Sequence, residues 1–109
     1  MSSDACGSQP KFDANGNCIG ITYTTPETLL CELRRLKEIY GVPFETALAF
    51  FTENPARVAG FAGKKGVIRA GADADIMVLG GDYRVDRLFA RGKLFVDSGA
   101  AVVKDYFEN

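Results

Sequence analysis

A short segment near the start of the chain contains the residue types that hydrolytic chemistry needs. In residues 2–10 (SSDACGSQP), Asp4 is followed by Gly7 and Ser8 within a run of small side chains. A carboxylate in a glycine-containing loop suits a metal ligand or a general base, because small residues let the backbone approach a ligand closely. The Ser8 hydroxyl could donate a hydrogen bond to a substrate carboxylate. The alternative is a polar terminus in which Asp4 only forms an Asx turn.

Other polar groups in the sequence are weaker candidates for chemistry. Cys6 has no histidine or neighbouring base to activate its thiol, which makes it a poor nucleophile. Asp73 and Asp75 could share a metal or act as an acid–base pair, but carboxylates at the start of a strand are more often turn formers and edge caps. The basic pair at 64–65 is predicted to be solvated. Residues 60–66 lack the spacing of a phosphate-binding loop.

Composition excludes several classes of function. The chain has 109 residues, a formal net charge of −1 and no histidine. Without histidine it contains no Ser-His-Asp triad, no Cys-His pair and no zinc site built on imidazole. The balanced charge differs from the cationic surface that binds nucleic-acid phosphates, so no nucleic-acid partner is expected. No run approaches the ~18 apolar residues that span a bilayer, and the start lacks the features of a signal peptide; a cytoplasmic location without membrane contact is therefore expected.

The cysteines indicate free thiols rather than a disulfide framework. Their number is odd, and the spacings between Cys6, Cys18 and Cys31 are long. Two close C-x-x-C pairs would indicate zinc, and secreted frameworks normally use an even count. We therefore expect reduced thiols in a reducing compartment.

The elements that position these residues begin with a loop and a helix. Residues 1–25 are predicted to be loop, because glycine, proline and a strong turn sequence at 13–17 interrupt the stretch. Apolar residues at helical spacing then predict a helix over 26–40, with Thr25 as its cap and Gly41 at its end.

Two shorter helices are predicted to follow. Residues 43–52 have apolar side chains at i, i+3, i+4 and i+7, which is typical of one helix face. Asn54 and Pro55 then predict the cap and first residue of a third helix, which ends near Gly60 or Gly63.

The remainder of the chain has the pattern of short antiparallel strands. The predicted strands are 66–69, 75–80, 85–90, 94–96 and 101–104. Along the chain the predicted helices come first and the predicted strands follow. This order implies two structural regions rather than one mixed sheet. So few short strands leave one sheet face uncovered unless another sheet packs on it. The chain is therefore predicted to be a piece of a larger protein.

Several segments of this region resemble a known superfamily. Residues 54–60 (NPARVAG), 65–68 (KGVI) and 71–79 (GADADIMVL) resemble the C-terminal signature of the amidohydrolases. The hairpin at 90–94 (ARGKL) is similar to part of that superfamily's β-sandwich. Amidohydrolases are metal-dependent hydrolases with a TIM-like barrel and a small composite sandwich.

Other segments narrow the resemblance to the isoaspartyl dipeptidases (β-aspartyl peptidases). Residues 2–13, the helix start at 25–29 and the ending 103–108 are similar to that family, so the resemblance covers essentially the whole chain. Ala5 departs from the glycine that the family usually has there, which leaves the backbone shape of the loop open.

The resemblance implies an α+β fragment of a larger fold. Residues 1–62 would form the C-terminal end of the catalytic (β/α)8 barrel, consisting of the active-site loop and closing helices. Residues 63–109 would form part of the composite β-sandwich. The other sandwich strands come from the N-terminal part of such enzymes, which agrees with the uncovered sheet predicted from strand count.

The resemblance also implies roles for the first segment. Asp4 matches a carboxylate that contacts a binuclear zinc centre and acts on the metal-bound water as general base. Ser8, with Gly7, matches the substrate-binding part of the loop, where the serine contacts a substrate carboxylate. The histidines and carboxylated lysine of the zinc centre have no counterpart here. This chain alone is therefore expected to bind no zinc and to be inactive, although the whole protein would be an enzyme.

Two alternatives remain open at this point. The chain could be a stand-alone structural or binding protein whose apolar faces cause self-association, including exchange of strands between copies. It could also belong to another amidohydrolase, such as a deacetylase or cyclic amidase. Under the dipeptidase hypothesis its partners are the rest of the barrel and sandwich, an isoaspartyl dipeptide, and other copies in a homo-oligomer.

Overall fold

Nine regular elements make up the part of the chain that the computed structural model describes, residues 1–5 and 7–104. In chain order they are β1 (Ser8–Phe12), β2 (Cys18–Tyr23), α1 (Glu27–Glu38), α2 (Phe44–Ala49), α3 (Glu53–Val58), β3 (Ile76–Leu79), β4 (Val85–Ala90), β5 (Lys93–Asp97) and β6 (Ala100–Ala101). The sheets are antiparallel, so the predicted α+β class is confirmed. Cys6, considered above as a nucleophile, and the end of the 103–108 match lie outside the described residues.

The N-terminal part of the chain is a β-hairpin, so the prediction of a loop over residues 1–25 is wrong. β1 and β2 pair antiparallel, with Ser8 opposite Tyr23. Ile19, Ile21 and Tyr23 alternate along β2 with the period of a strand and lie on one face. This alternation is the signal that the glycine and proline residues around it obscured.

The hairpin turn at 13–17 forms as its sequence predicts. The Asp13 carboxylate accepts hydrogen bonds from the backbone N–H groups of Asn15 and Asn17, each at 2.9 Å. These bonds, led by the one from the Asn17 backbone, hold the pKa of Asp13 below its usual value. Gly16 supplies the left-handed residue of the turn, with φ of +84°.

The three predicted helices form, but their caps differ from the prediction. Pro26 rather than Thr25 occupies the N-cap of α1, and no side chain caps it. α3 begins at Glu53, so Thr52 and not Asn54 is its cap residue. The Thr52 hydroxyl instead donates to the Leu48 carbonyl at 2.8 Å, which ties the start of α3 to the end of α2. Among the described residues, no helix is long and apolar enough to cross a membrane.

The C-terminal strands form one sheet in the order β3-β4-β5-β6. The predictions at 75–80, 85–90 and 94–96 are confirmed, whereas the strand predicted at 101–104 is reduced to the two residues of β6. Because the sheet order follows the chain order, tight turns alone connect the strands.

The segment at 66–69 is not a strand, which corrects the prediction. Gly66 has φ of +75° and lies against the Thr52 carbonyl group, where an added Cβ would be 2.7 Å from the carbonyl carbon. Gly66 therefore lies directly against the start of α3. Ile68 is 85% exposed.

The molecule is open for its size. Its accessible surface is 8309 Å², whereas a compact monomer of 11.8 kDa would have about 5,900 Å². Among the described residues, only Leu33, Ala47 and Ala56 are buried apolar side chains. An apolar cleft of about 1000 Å³ separates the helices from β3, and Met77 and Val78 of that edge strand remain exposed. The sheet is thus incompletely covered at its β3 edge, in the direction that the strand count predicts.

Candidate active-site loop

The loop before β1 holds Asp4 in a left-handed backbone conformation, with φ of +50°. This conformation is unfavourable by roughly 1–2 kcal/mol for a residue with a side chain, so surrounding contacts must stabilise it. The hydroxyl of Thr24, just after β2, donates to the Ser3 carbonyl at 2.7 Å and lies 3.0 Å from the Asp4 carbonyl oxygen. The Gly7 N–H also faces the Asp4 carbonyl oxygen, at an N···O distance of 3.4 Å. The end of the hairpin therefore fixes the backbone of the loop.

The Asp4 carboxylate is much less constrained than its backbone. Gln9 Nε2 donates to Asp4 Oδ2 over 3.3 Å, a long bond between exposed groups. Gly7 lies beside the other oxygen, and a Cβ added there would be 3.6 Å from Asp4 Oδ1. Among the described residues this is the one hydrogen bond to the carboxylate, which leaves oxygen lone pairs that could accept a proton or bind a cation.

Ser8 lies on a different face of the hairpin from the residue that contacts Asp4. Successive side chains of a strand alternate in direction, so Ser8 and Gln9 are on opposite faces of β1. Among the residues that the structure describes, no hydrogen bond joins the Ser8 hydroxyl to Asp4. The structure thus places Gly7 beside Asp4, whereas no hydrogen bond within the described residues joins the Ser8 side chain to Asp4. The substrate-binding roles of Ser8 and Gly7 stay predictions.

The sequence interpretation missed Gln9 and Thr24. Gln9 stood in the quoted segment without a role, and Thr24 is 20 residues away from Asp4. Thr24 follows β2 and Asp4 precedes β1, and it is the antiparallel pairing of these strands that brings the two residues together. The alternation along β2 was the one signal that could have predicted this proximity.

The described residues do not form a metal centre by themselves. No group of three or more His, Cys, Asp or Glu side chains is close enough to hold an ion anywhere in residues 1–5 and 7–104. Cys18 and Cys31 are free and exposed. Because catalytic zinc typically takes three protein ligands, Asp4 could supply at most one of them.

Asp73 and Asp75 use their carboxylates to hold the chain together. Lys65 Nζ lies 3.0 Å from Asp73 Oδ2 and 2.6 Å from Asp75 Oδ2, so this lysine is paired rather than solvated as predicted. The backbone N–H of Arg91 donates to Asp75 Oδ1 at 2.7 Å, which links this turn to the β4–β5 turn. The bond from Lys65 is the main cause that lowers the pKa of Asp75, followed by that from Arg91. These contacts support the turn and edge role predicted for the two aspartates.

Comparison with known proteins assigns the family. The sequence model described as "Amidohydrolase family" matches residues 1–102, which is nearly the whole chain. The chain belongs to the amidohydrolase family. The resemblance identified from the 54–60 and 71–79 segments is therefore confirmed.

Two solved structures resemble this amidohydrolase chain. β-Aspartyl dipeptidase from Fervidobacterium islandicum AW-1, solved with a β-Asp-Leu dipeptide, is 32% identical with a TM-score of 0.80, over 96% of this chain and 28% of that protein. N-acetylglucosamine-6-phosphate deacetylase from Pasteurella multocida is 22% identical with a TM-score of 0.62, over 81% of this chain and 22% of that protein. The second likeness is one of fold alone. The chain spans less than a third of either protein.

Proposed function

We propose that this chain is the C-terminal part of an amidohydrolase that hydrolyses isoaspartyl dipeptides. The observation that carries the proposal is the similarity to a β-aspartyl dipeptidase, at 32% identity over 96% of the chain. The deacetylase is less similar and matches a smaller share of it. In this proposal residues 1–62 close the catalytic barrel and residues 63–109 form part of the composite sandwich.

The proposed chemical role of this chain is centred on the Asp4 carboxylate. A water molecule attacks the isoaspartyl amide carbon, and Asp4 accepts the proton that the water loses. Collapse of the tetrahedral intermediate breaks the C–N bond, and the same proton passes from Asp4 to the leaving amine. Aspartate and the second amino acid are the products. The exposure of the carboxylate, and its single long hydrogen bond within residues 1–5 and 7–104, support this role.

The rest of the active site must come from outside this chain. The sequence has no histidine, and the described residues hold no group of metal ligands. The part of the reaction proposed for this chain is therefore limited to the proton at Asp4 and to substrate contacts by Ser8 and Gly7. For the same reason, we expect the isolated 109-residue chain to be inactive.

The test is a substrate panel for the whole protein that contains this chain. β-Asp-Leu, α-Asp-Leu and N-acetylglucosamine 6-phosphate are incubated separately, and free leucine or acetate is measured. We expect leucine from β-Asp-Leu only. Acetate release without dipeptide hydrolysis would favour the deacetylase alternative, and leucine release by the isolated chain would overturn the assignment of this chain as an incomplete enzyme.

Exposed apolar surface supports a second candidate, a self-associating structural or binding chain. Ile21 is 78% and Tyr23 72% exposed on one face of the hairpin. Under this hypothesis, another copy of the chain covers the exposed apolar face of the hairpin. Sedimentation of the isolated chain distinguishes the candidates, because a single monomer species that unfolds cooperatively would contradict obligate self-association.

A further inference from the structure

Thr24 connects two parts of the molecule that are distant in sequence. Its side chain is half-buried, and its hydroxyl contacts the carbonyl groups of Ser3 and Asp4 at 2.7 and 3.0 Å. It directly follows β2, so the rigidity of the paired strands is transmitted to the loop before β1. Two other side-chain contacts lie within the loop itself and are longer: the Asp4 N–H donates to Ser2 Oγ and the Ala5 N–H donates to Ser3 Oγ, each at 3.3 Å.

The contact with Thr24 affects the direction of the Asp4 side chain, because the Asp4 backbone is left-handed. Aspartate adopts φ near +50° more readily than most residues with a side chain, but the conformation is still uncommon, and relaxation toward a negative φ would turn the Asp4 carbonyl and side chain to new directions. A hydroxyl that holds the carbonyl of this residue and of the residue before it opposes that rotation. Gln9, in contrast, donates to the Asp4 carboxylate, and within the described residues its side chain has no hydrogen bond to the Asp4 backbone.

We propose that Thr24 is a positioning residue for Asp4. Its hydroxyl holds Asp4 in the left-handed conformation and thereby sets the direction from which the carboxylate meets the reacting water. In this way the β1–β2 hairpin stabilises the loop that contains Asp4. This inference rests on the proposed function, since it concerns the same carboxylate.

The test compares three variants of the whole protein with β-Asp-Leu as substrate. Thr24→Val keeps the shape of the side chain but removes the hydroxyl, and we expect kcat to fall about tenfold because misaligned catalytic groups lose rate steeply. KM should stay within about twofold, because the loss concerns the transition state rather than substrate binding. Thr24→Ser restores the hydroxyl and should recover most of kcat. Thr22→Val, the same change at an exposed position of β2, should behave as wild type.

A second readout does not depend on activity. Hydrogen exchange of the loop amides around Asp4 should be faster in Thr24→Val than in wild type or Thr22→Val, with the helices unchanged. The proposal would be overturned if Thr24→Val had the kcat of wild type, or if kcat fell equally in Thr22→Val and Thr24→Val. Unaltered hydrogen exchange of the loop in Thr24→Val would also overturn it. If Thr24→Val does not fold, Thr24→Ala carries the same expectations. A wild-type protein that cleaves no isoaspartyl dipeptide would instead refute the proposed function. The exchange experiment would still decide whether Thr24 restrains the Asp4 loop.

Discussion

Two turns of this molecule, one at Asp4 and one at Asp75, each place a carboxylate shortly before a strand and use it differently. Asp75 receives Lys65 Nζ at 2.6 Å on one oxygen and the Arg91 N–H at 2.7 Å on the other. Among the described residues, the Asp4 carboxylate receives one hydrogen bond, from Gln9 Nε2 at 3.3 Å, while its backbone carbonyl is held by Thr24. Asp75 is fixed through its side chain, whereas Asp4 is fixed through its main chain.

Under the proposed function, the difference separates a structural carboxylate, Asp75, from a carboxylate that takes part in catalysis, Asp4. Both oxygens of Asp75 are occupied, so its charge stabilises the junction between the 64–75 segment and the β4–β5 turn. In the part of the chain that the structure describes, Asp4 combines a carboxylate with one long hydrogen bond and a backbone held by Thr24, a combination that suits the proposed general base. Changes in the two regions should therefore affect different measurable properties.

The largest expected effect on stability is in the segment that leads to Asp75. Gly66→Ala should lower the free energy of unfolding of the whole protein by about 3 kcal/mol, because it adds left-handed strain and a clash with the Thr52 carbonyl group. Denaturant titration measures the change.

Gly16→Ala is the matched control in the hairpin turn. Its φ of +84° is similarly left-handed, but a Cβ there would meet no atom within 4 Å. We expect a loss of only about 1 kcal/mol, from backbone strain alone. Equal losses in the two variants would show that the contact between Gly66 and Thr52 does not stabilise the fold.

The acid side of the stability profile should report on Asp75. Its pKa is held below the usual value of 3.8, so its contribution is present above about pH 4 and is lost as the pH falls through the lower, folded-state pKa. Asp75→Asn should remove this contribution. The difference in unfolding free energy between wild type and Asp75→Asn should shrink from pH 7 to pH 2, and a difference independent of pH would contradict the assignment.

The alkaline side should report on Lys65 with the opposite sign. Asp75 and then Asp73 hold the pKa of Lys65 above its usual value of 10.5, so the stabilisation is present below that pH and is lost as the pH rises through the folded-state pKa. Lys65→Met should destabilise the protein at pH 7 and have a smaller effect above pH 11. A constant effect across this range would show that packing of the aliphatic stem, rather than charge, is what matters.

The smallest expected effect concerns the hydrogen bond between Gln9 and Asp4. Gln9→Met keeps the length of the side chain and removes the donor, and we expect kcat on β-Asp-Leu to fall only about twofold, since a long exposed bond is weak. A loss as large as that of Thr24→Val would mean that the carboxylate, and not the backbone, is the constrained part of Asp4.

The sequence predicted the C-terminal region well because its signals are local. The strands at β3, β4 and β5 follow from short apolar runs separated by glycine turns, and the helices follow from spacing. The β1–β2 hairpin had a local signal, the alternation along β2, which the glycine and proline residues around it obscured. The bend at Gly66 depends on Thr52, a partner elsewhere in the chain, which local patterns do not reveal. The same limit explains why Asp4 was predicted as a candidate but its support by Thr24 was not.

A parallel assay of Asp4→Asn and Asp75→Asn in the whole protein tests the central claim most directly. For each variant, kcat on β-Asp-Leu and the thermal midpoint are measured beside wild type. We expect Asp4→Asn to lose about 10²–10⁴-fold in kcat with an unchanged midpoint, as removal of a general base does, and Asp75→Asn to lower the midpoint and keep kcat. A turnover retained in Asp4→Asn, or abolished in folded Asp75→Asn, would contradict the division of roles between the two carboxylates.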